Sequence, residues 1–548
     1  MYPTSDMPKS DASLKIVGSN TFGRFAKISA EQTFNMMVSD EWLVPTPGYK
    51  KALEIAPGLP GRGIYASARG GFMIVILANV VYRVEGAIGF LNYSELFRLN
   101  TVSGDVSIDE NIAYQIAICD GQALWIYNWG IGDVTPATLP TNTQTGNLII
   151  PGYVTYHDGY FIVPDTTSAN WYLSAPNDGL NWFWGAGGLP VNGAIQTKPT
   201  NAKAVLRAPG KGNLIYVFGS TVTELWNNYG AQLFPYQRNN GVSIDYGCLS
   251  ASTIGAMDEY VAWLGSNEKS GPIIMISRGG SFEHLSTDGI DFKLADLINP
   301  EQSYGFFYKI DGHVFYQLTF YSPEDNYTLL YDFNTKKFFY LTDENMNYHI
   351  ANAVAFYNDT YYFTDLRSDG SIYEMNSHFT QYDYTIEPII NPSENIFGAY
   401  QIPRVRICNN FRQLDTSRFV AGSLTFTIEQ GMDPFYQQSD LFYLTTEDGF
   451  VISEETPTGY VGTFLQTEQV LEDYAPRVDM SISKDGGQTF GSYISRPMNL
   501  LGDRKNRMIF WRLGAVNDLV VQFRFWSKSR IVVSDGVFQA RPIETGGA

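Results

Sequence analysis

Cysteine is nearly absent: the 548 residues hold three, Cys119, Cys248 and Cys408, an odd number spread far apart. Neither a disulfide framework nor a zinc-type spacing can be built from them, which suits synthesis in a reducing cytoplasm. Histidine is almost as scarce. His157, His284, His313, His349 and His378 never fall within metal-ligand spacing of one another, and three of them adjoin turns or strand starts, where a solvated or hydrogen-bonded ring is the ordinary outcome. Charge is low, at 17% of residues against roughly a quarter in an average protein, and it is one-sided: 56 acidic against 37 basic side chains give a net −19. Such a surface repels phosphates, which disfavours basic nucleic-acid readers and proteins of anionic membrane surfaces. Long hydrophobic runs are missing too. The longest, Phe72 to Leu77 continued by Val80 to Val84, is broken by Ala78-Asn79 and is too short for a membrane helix; it reads as a hairpin. Met1 to Ser10 is polar with two prolines and carries no secretory pattern, so no membrane insertion is expected. A Walker loop, a G-x-S-x-G elbow and an H-E-x-x-H helix are all lacking, and neither cofactor, metal nor enzymatic activity is expected.

Aromatic and turn-forming residues take the place of what is missing. Tyrosine, phenylalanine and tryptophan make up 15% of the chain, with 51 glycines and 26 prolines, and apolar residues reach 44%. That composition excludes intrinsic disorder and points to an all-β protein with many short strands. From about Gly61 to Met375 a unit of turn, strand, turn and strand recurs. Its openings lie at Arg69-Gly70-Gly71, Asp120-Gly121, Asp158-Gly159, Gly210-Lys211-Gly212, Asp258-Glu259, Asp311-Gly312 and Asn358-Asp359. Spacings near 50 residues, one of them shorter, predict a β-propeller of six or seven blades, with one unit open to being split between the ends of the ring. An irregular array of hairpins in two sandwiches is the alternative. The expected organisation is an N-terminal arm and start of a platform over 1–61, the propeller over 62–379, a linker or excursion over 380–402, and a C-terminal β-sandwich-like platform domain over 403–548. Ser29 to Ser39 reads as a short helix or an extended arm.

Two features could carry function. Ser483-Lys484-Asp485-Gly486-Gly487-Gln488-Thr489-Phe490 has the S-x-D-x-G-x-T-aromatic pattern of an Asp box, a hairpin turn held by the side chains of Ser483, Asp485 and Thr489 around Gly487, with Phe490 behind it. A looser version spans Ser174 to Trp182. Asp boxes occur in sialidases, which keeps a propeller glycosidase or a glycan-binding adhesin open as alternatives. However, no spacing nominates the clustered arginines and activated tyrosine or carboxylate that sialidase chemistry needs. The second feature is basic. Arg496, Arg504, Lys505, Arg507, Arg512, Arg524, Lys528 and Arg530 face only Asp503 and Asp518 in the same stretch, a local charge of +6. It reads as a docking surface for an acidic partner or a neighbouring copy of this acidic chain, or as a set of solvated strand faces.

The order Phe218-Gly219-Ser220-Thr221-Val222-Thr223-Glu224-Leu225-Trp226, then Phe234-Pro235-Tyr236-Gln237-Arg238, then Tyr246-Gly247-Cys248 and Val261-Ala262-Trp263-Leu264 resembles the central signature of the packaged-DNA stabilisation, or tail hub and nozzle, proteins of short-tailed bacteriophages. Thr33-Phe34-Asn35-Met36, Gly61-Arg62-Gly63-Ile64-Tyr65, Asn79-Val80-Val81-Tyr82 and Pro476-Arg477-Val478 are similar as well, whereas residues 380–475 match least. The resemblance implies a non-enzymatic virion component of the phage tail, assembled in the host cytoplasm. It implies a homo-oligomer, typically of six copies, below the portal and its head-to-tail adaptor ring. Such a ring extends the DNA channel, holds the packaged genome until ejection, and carries tail fibres, spikes or a plug. Double-stranded DNA would pass through without tight binding, because an acidic wall does not capture it by counterion release.

Overall fold

The computed structural model describes residues 10–22, 31–142, 145–385, 399–412, 418–431, 476–498, 505–527 and 529–542. The described residues fall into two compact units, one drawn from 20–26 and 47–400, the other from 1–19, 27–46 and 401–548.

The first unit is a β-propeller. Among the described residues seven blade sheets follow one another along the chain and begin at Gly61–Ser67, Ser107–Glu110, Thr155–His157, Ala202–Arg207, the split pair Gly247–Cys248 and Gly255–Met257, Ser303–Ile310, and Ala351–Tyr357; each has an antiparallel four-strand path, and the seventh is extended by Gln381–Asp383, parallel to Gly48–Glu54. Six sheets are continuous in sequence. The seventh takes its outer strand from far upstream: Gly48–Glu54 pairs with Ser371–Asn376, Glu54 opposite Ser371 and Gly48 opposite Asn376. Inside the ring the seventh sheet meets the first, where the Asn352 side-chain amide donates to the Gly61 carbonyl at 2.7 Å and the Tyr357 hydroxyl to those of Gly71 and Gly86.

The hydrophobic pattern explains why these sheets stand as blades. Phe72–Leu77 is buried at every position, so it shows no polar face. Phe72, Ile74 and Ile76 pack with Ile116, Ile118 and Tyr127 of the next blade. Met73, Val75 and Leu77 pack with Tyr362 and Ile372 of the last. A strand sandwiched on both faces needs apolar residues throughout, unlike a strand with one wet face. The break at Ala78-Asn79 is the expected hairpin, with Ala78 at φ +48°. Six of the seven openings are turns between the first and second strands of a blade, and Asp158-Gly159, Asp311-Gly312 and Asn358-Asp359 take the positive φ at both residues that tight hairpins require. Asp120-Gly121 differs. It joins the second and third strands of its blade, while the first turn there is Asn111 to Tyr114, which accounts for the one short spacing.

The second unit is a sandwich. One sheet runs in the order Ser10–Leu14, Gly536–Pro542, Phe419–Gln430, Ile531–Val533, Trp42–Pro45, Met36–Ser39, with Asn506–Val516 on the other edge of Phe419–Gln430. The other includes Gln32–Phe34, Arg404–Ile407, Asp518–Trp526, Arg477–Ser483 and Ile494–Pro497. Phe426 and Phe510 of the first sheet pack against Phe523 of the second, Phe426 edge-on at 5.1 Å between ring centroids. The stretch expected as a helix or extended arm is two short strands over its described part, Gln32–Phe34 and Met36–Ser39; Asn35 between them sits at φ +54° and donates to the Pro403 carbonyl. Pro403-Arg404-Val405 and Pro476-Arg477-Val478 both run beside Asp518–Trp526: Val405 and Asp479 lie on either side of Arg524.

Candidate docking face, pockets and family

The basic side chains divide between the two sheets of the sandwich. Arg507 and Arg512 lie on Asn506–Val516, and Lys505 immediately precedes it; all three are exposed. This strand pairs with Phe419–Gln430 alone among the described strands, so it is an edge. Alternation turns Met508 and Phe510 inward and Arg507 and Trp511 outward, with Trp511 56% exposed. Arg512, at φ +61°, and Leu513 face the single residue Gly422 between the pairs Ala421–Gly514 and Ser423–Trp511, which is a β-bulge. Arg496 is exposed on Ile494–Pro497, the edge of the other sheet, and Arg530 is exposed after Asp518–Trp526. Arg524 is structural: its guanidinium lies 4.3 Å from the centre of the Tyr493 ring and its strand neighbour is Asp479. Arg504 and Lys528 lie outside the described residues. Cations on edge strands both deter unwanted strand pairing and offer charge to a partner.

The Asp box closes as its spacing predicts. The Asp485 carboxylate accepts the amides of Gln488 and Thr489 at 3.0 Å and the Thr489 hydroxyl at 2.5 Å, and the Ser483 hydroxyl accepts the Gly487 amide at 2.9 Å. The Ser483 hydroxyl beside it, with Thr489, holds the Asp485 carboxyl well below the usual carboxylate range. Phe490 is half-buried behind the turn. Four donors of its own turn engage the carboxylate, which makes the box a turn lock. At the looser copy, Asp178 accepts Leu180 N at 3.1 Å and the Trp182 indole donates to Gly179 O.

Cavities open on the described residues of the propeller. One, about 660 Å³, brings together Glu344, Asp365, Arg367, Asp369, Tyr373 and Tyr384. These are the residue types sialidase chemistry would use, but they satisfy one another. Arg367 reaches Asp365 at 3.2 Å and Glu344 at 3.6 Å, while the Tyr384 and Tyr373 hydroxyls donate to Glu344 and Asp369. Burial pushes the Asp365 carboxyl up to about 6 against the pull of Arg367. One arginine, already neutralised, is a poor clamp for a substrate carboxylate. A second cavity, about 430 Å³, is lined by loops from several blades, with Asp105, Asp120, Lys203 and Glu301 among them. Arg62 holds one of these loops through Thr101, Ser103 and Gly104 carbonyls. A third, about 460 Å³, is a groove of carboxamides over aromatic rings between the outer strands Val191–Ala194 and Tyr236–Ile244.

The histidines are structural where their contacts are described: the His157 ring bonds the Tyr236 hydroxyl, His313 lies 3.0 Å from Asp332, and burial pulls His349 down to about 3. Among the described residues no group of three or more potential ligands could hold a metal ion, and no helix is long and apolar enough to cross a membrane. The three cysteines are buried and free, with burial pushing their thiols up to about 12. The carboxamide groove was invisible in sequence, because Asn192 and Gln196 stand some forty residues from Gln237 and Asn240 and only blade packing brings the two pairs to one place.

The described residues thus form a seven-bladed propeller and a sandwich, and the cluster around Arg367 is neutralised by its own neighbours. The model of a phage stabilisation family, described as bacteriophage P22 Gp10, β-propeller, matches residues 30–378, and the chain belongs to that family. Membership gives it a structural role in a phage, in packaged-DNA stabilisation, and is consistent with a place in the virion. No curated protein matches the chain. Among solved structures, a chain of the mitotic checkpoint complex is similar at 11% identity, over 59% of this chain and 92% of that one, with a TM-score of 0.38.

Proposed function

We propose that this protein forms a ring in the phage tail below the portal and its adaptor, in which several copies, typically six, extend the DNA channel, retain the packaged genome until ejection, and anchor fibres, spikes or a plug. The observation that carries the reading is the family match over the propeller, residues 30–378. A physical argument supports it. Six copies at −19 each sum to −114, and a wall of that sign, acting over a Debye length of about 8 Å, keeps DNA centred and mobile. A ring of like subunits needs two complementary faces on each. The basic edge carrying Lys505, Arg507 and Arg512 is one candidate face, directed at an acidic surface of the next copy or of the adaptor.

Chemistry on a substrate is not part of this role, and the self-neutralised cluster around Arg367 accords with that. A reconstruction of the intact particle that locates this chain and counts its copies tests the proposal. A ring under the adaptor is the expected result; a chain absent from virions, or monomeric at 61.4 kDa even with the adaptor and portal present, overturns it.

A further inference from the structure

The groove between the third and fourth blades has the chemistry of a sugar site. Trp226, Phe234 and Tyr236 line its floor and pack on Trp171, with ring centroids 5.3, 5.5 and 5.6 Å from that of Trp171. Gly193 keeps this floor close-packed: a Cβ there would lie 2.4 Å from Trp171 and 2.8 Å from Phe234. Glu224 fixes floor to wall from beneath. Fully buried, it accepts the Gln196 and Thr197 amides at 2.8 and 2.7 Å, the Thr197 hydroxyl at 2.6 Å and the Trp226 indole at 3.0 Å. Buried and engaged by four donors of its own chain, Glu224 is not among the groove's lining residues and is not offered there as a metal ligand or an acid–base group.

What the groove does present is donors and acceptors without partners. Asn192, Gln196, Gln237 and Asn240 are exposed along its walls, and among the described residues their carboxamides bond no protein group. Arg238 stands beside them, half-buried: its Nη1 donates to the Thr197 hydroxyl at 2.8 Å and lies 3.7 Å from the Glu224 carboxylate, which leaves Nη2 as its free donor on the groove side, while its Nε is buried with no partner among the described residues. A carboxamide pairs a donor with an acceptor at the spacing of two adjacent hydroxyls, and Phe234, half-buried over the buried Trp226 and Tyr236, is the ring that can meet the apolar face of a sugar. We propose that this groove binds a pyranose unit of a surface glycan, neutral or carboxylated, with Gln237 and Asn240 on its hydroxyls and Arg238 supplying a charge-assisted donor. The site does not depend on where in the particle the protein sits.

Saturation-transfer NMR on the full chain with glucose, galactose, N-acetylglucosamine, glucuronate and N-acetylneuraminate tests it. Transfer to at least one probe is expected, weakened about tenfold or more by the double substitution Gln237→Ala and Asn240→Ala, since two lost hydrogen bonds amount to roughly that factor. Gln196→Ala, on the opposite wall, weakens binding too. An unchanged near-ultraviolet circular dichroism spectrum establishes that these variants remain folded. Arg238→Lys separates the two sugar types, reducing glucuronate or N-acetylneuraminate binding more than that of the neutral probes if the natural ligand is carboxylated, and all probes alike if it is neutral. No transfer to any probe, or transfer unmoved by the wall substitutions, overturns the proposal.

Discussion

Arg406 is fully buried in the sandwich and is fed by five acceptors. Its guanidinium donates to the carbonyls of Ile16 at 2.7 Å, Ser19 at 3.1 Å and Lys15 at 3.5 Å, to the Thr33 hydroxyl, and to the Glu31 carboxylate at 2.6 Å. Gly18 allows the approach, since a Cβ there would sit 2.3 Å from Nη2. Arg406→Met strands Glu31 and several carbonyls away from water, and a loss of about 3–5 kcal/mol is expected in urea unfolding of the full chain. Arg406→Lys rescues little, because one ammonium cannot reach acceptors on so many sides. Lys293 makes the opposite case, a cation with aromatic neighbours: Tyr327 and Tyr340 lie 4.1 and 4.6 Å from its Nζ, which also donates to the Tyr340 hydroxyl. Burial pulls its ammonium down to about 8. Between that value and the unfolded 10.5 the unfolded chain holds a proton that the folded one has released, so this residue makes stability rise with pH. Wild type is expected to gain about 2 kcal/mol over Lys293→Met between pH 8 and 10, read from denaturant midpoints at each pH.

Strands and turns differ in how far they could be read ahead. Asp-Gly and Asn-Asp pairs mark turns because both residues tolerate positive φ, yet the chemistry of a turn is the same whichever strands it joins, so Asp120-Gly121 passed for the start of a blade. The closing strand was harder still. Gly48–Glu54 carries two lysines and no strong alternation, and only its partner Ser371–Asn376 explains it. Tyr49 locks that strand in place. It stacks on Tyr382 at 4.3 Å, meets Phe363 and Tyr373 edge-on, and shares a 2.7 Å hydrogen bond with the Tyr384 hydroxyl. Tyr49→Ala is expected to cost about 3–5 kcal/mol and to raise hydrogen exchange first in Gly48–Glu54 and Ser371–Asn376. The Asp box was legible to the last bond because its partners lie within six residues. The basic cluster was legible only as composition, since Arg524, half-buried, is covered by the Tyr493 ring on the outer face of its strand while Arg507 and Arg512 stay in solvent.

For the whole molecule, net charge and the basic edge together set the expectation for assembly. Arg507→Glu with Arg512→Glu turns attraction to an acidic neighbour into repulsion while touching no buried group. Native mass spectrometry in the presence of the adaptor is expected to show fewer complete rings, with the defect partly relieved by salt, and an unchanged copy number would remove this edge from the interface. The seventh blade has one more consequence, which concerns the order of synthesis. Its outer strand, Gly48–Glu54, leaves the ribosome well ahead of its partner Ser371–Asn376. At 5–20 residues per second, the roughly 300 residues between them take about 15 to 60 s to make. For that interval the early strand has an open edge and Tyr49 has no stack. Each nascent chain therefore passes through a stage in which six blades can assemble around a missing seventh, and an exposed strand edge is where two unfinished chains would most readily exchange partners.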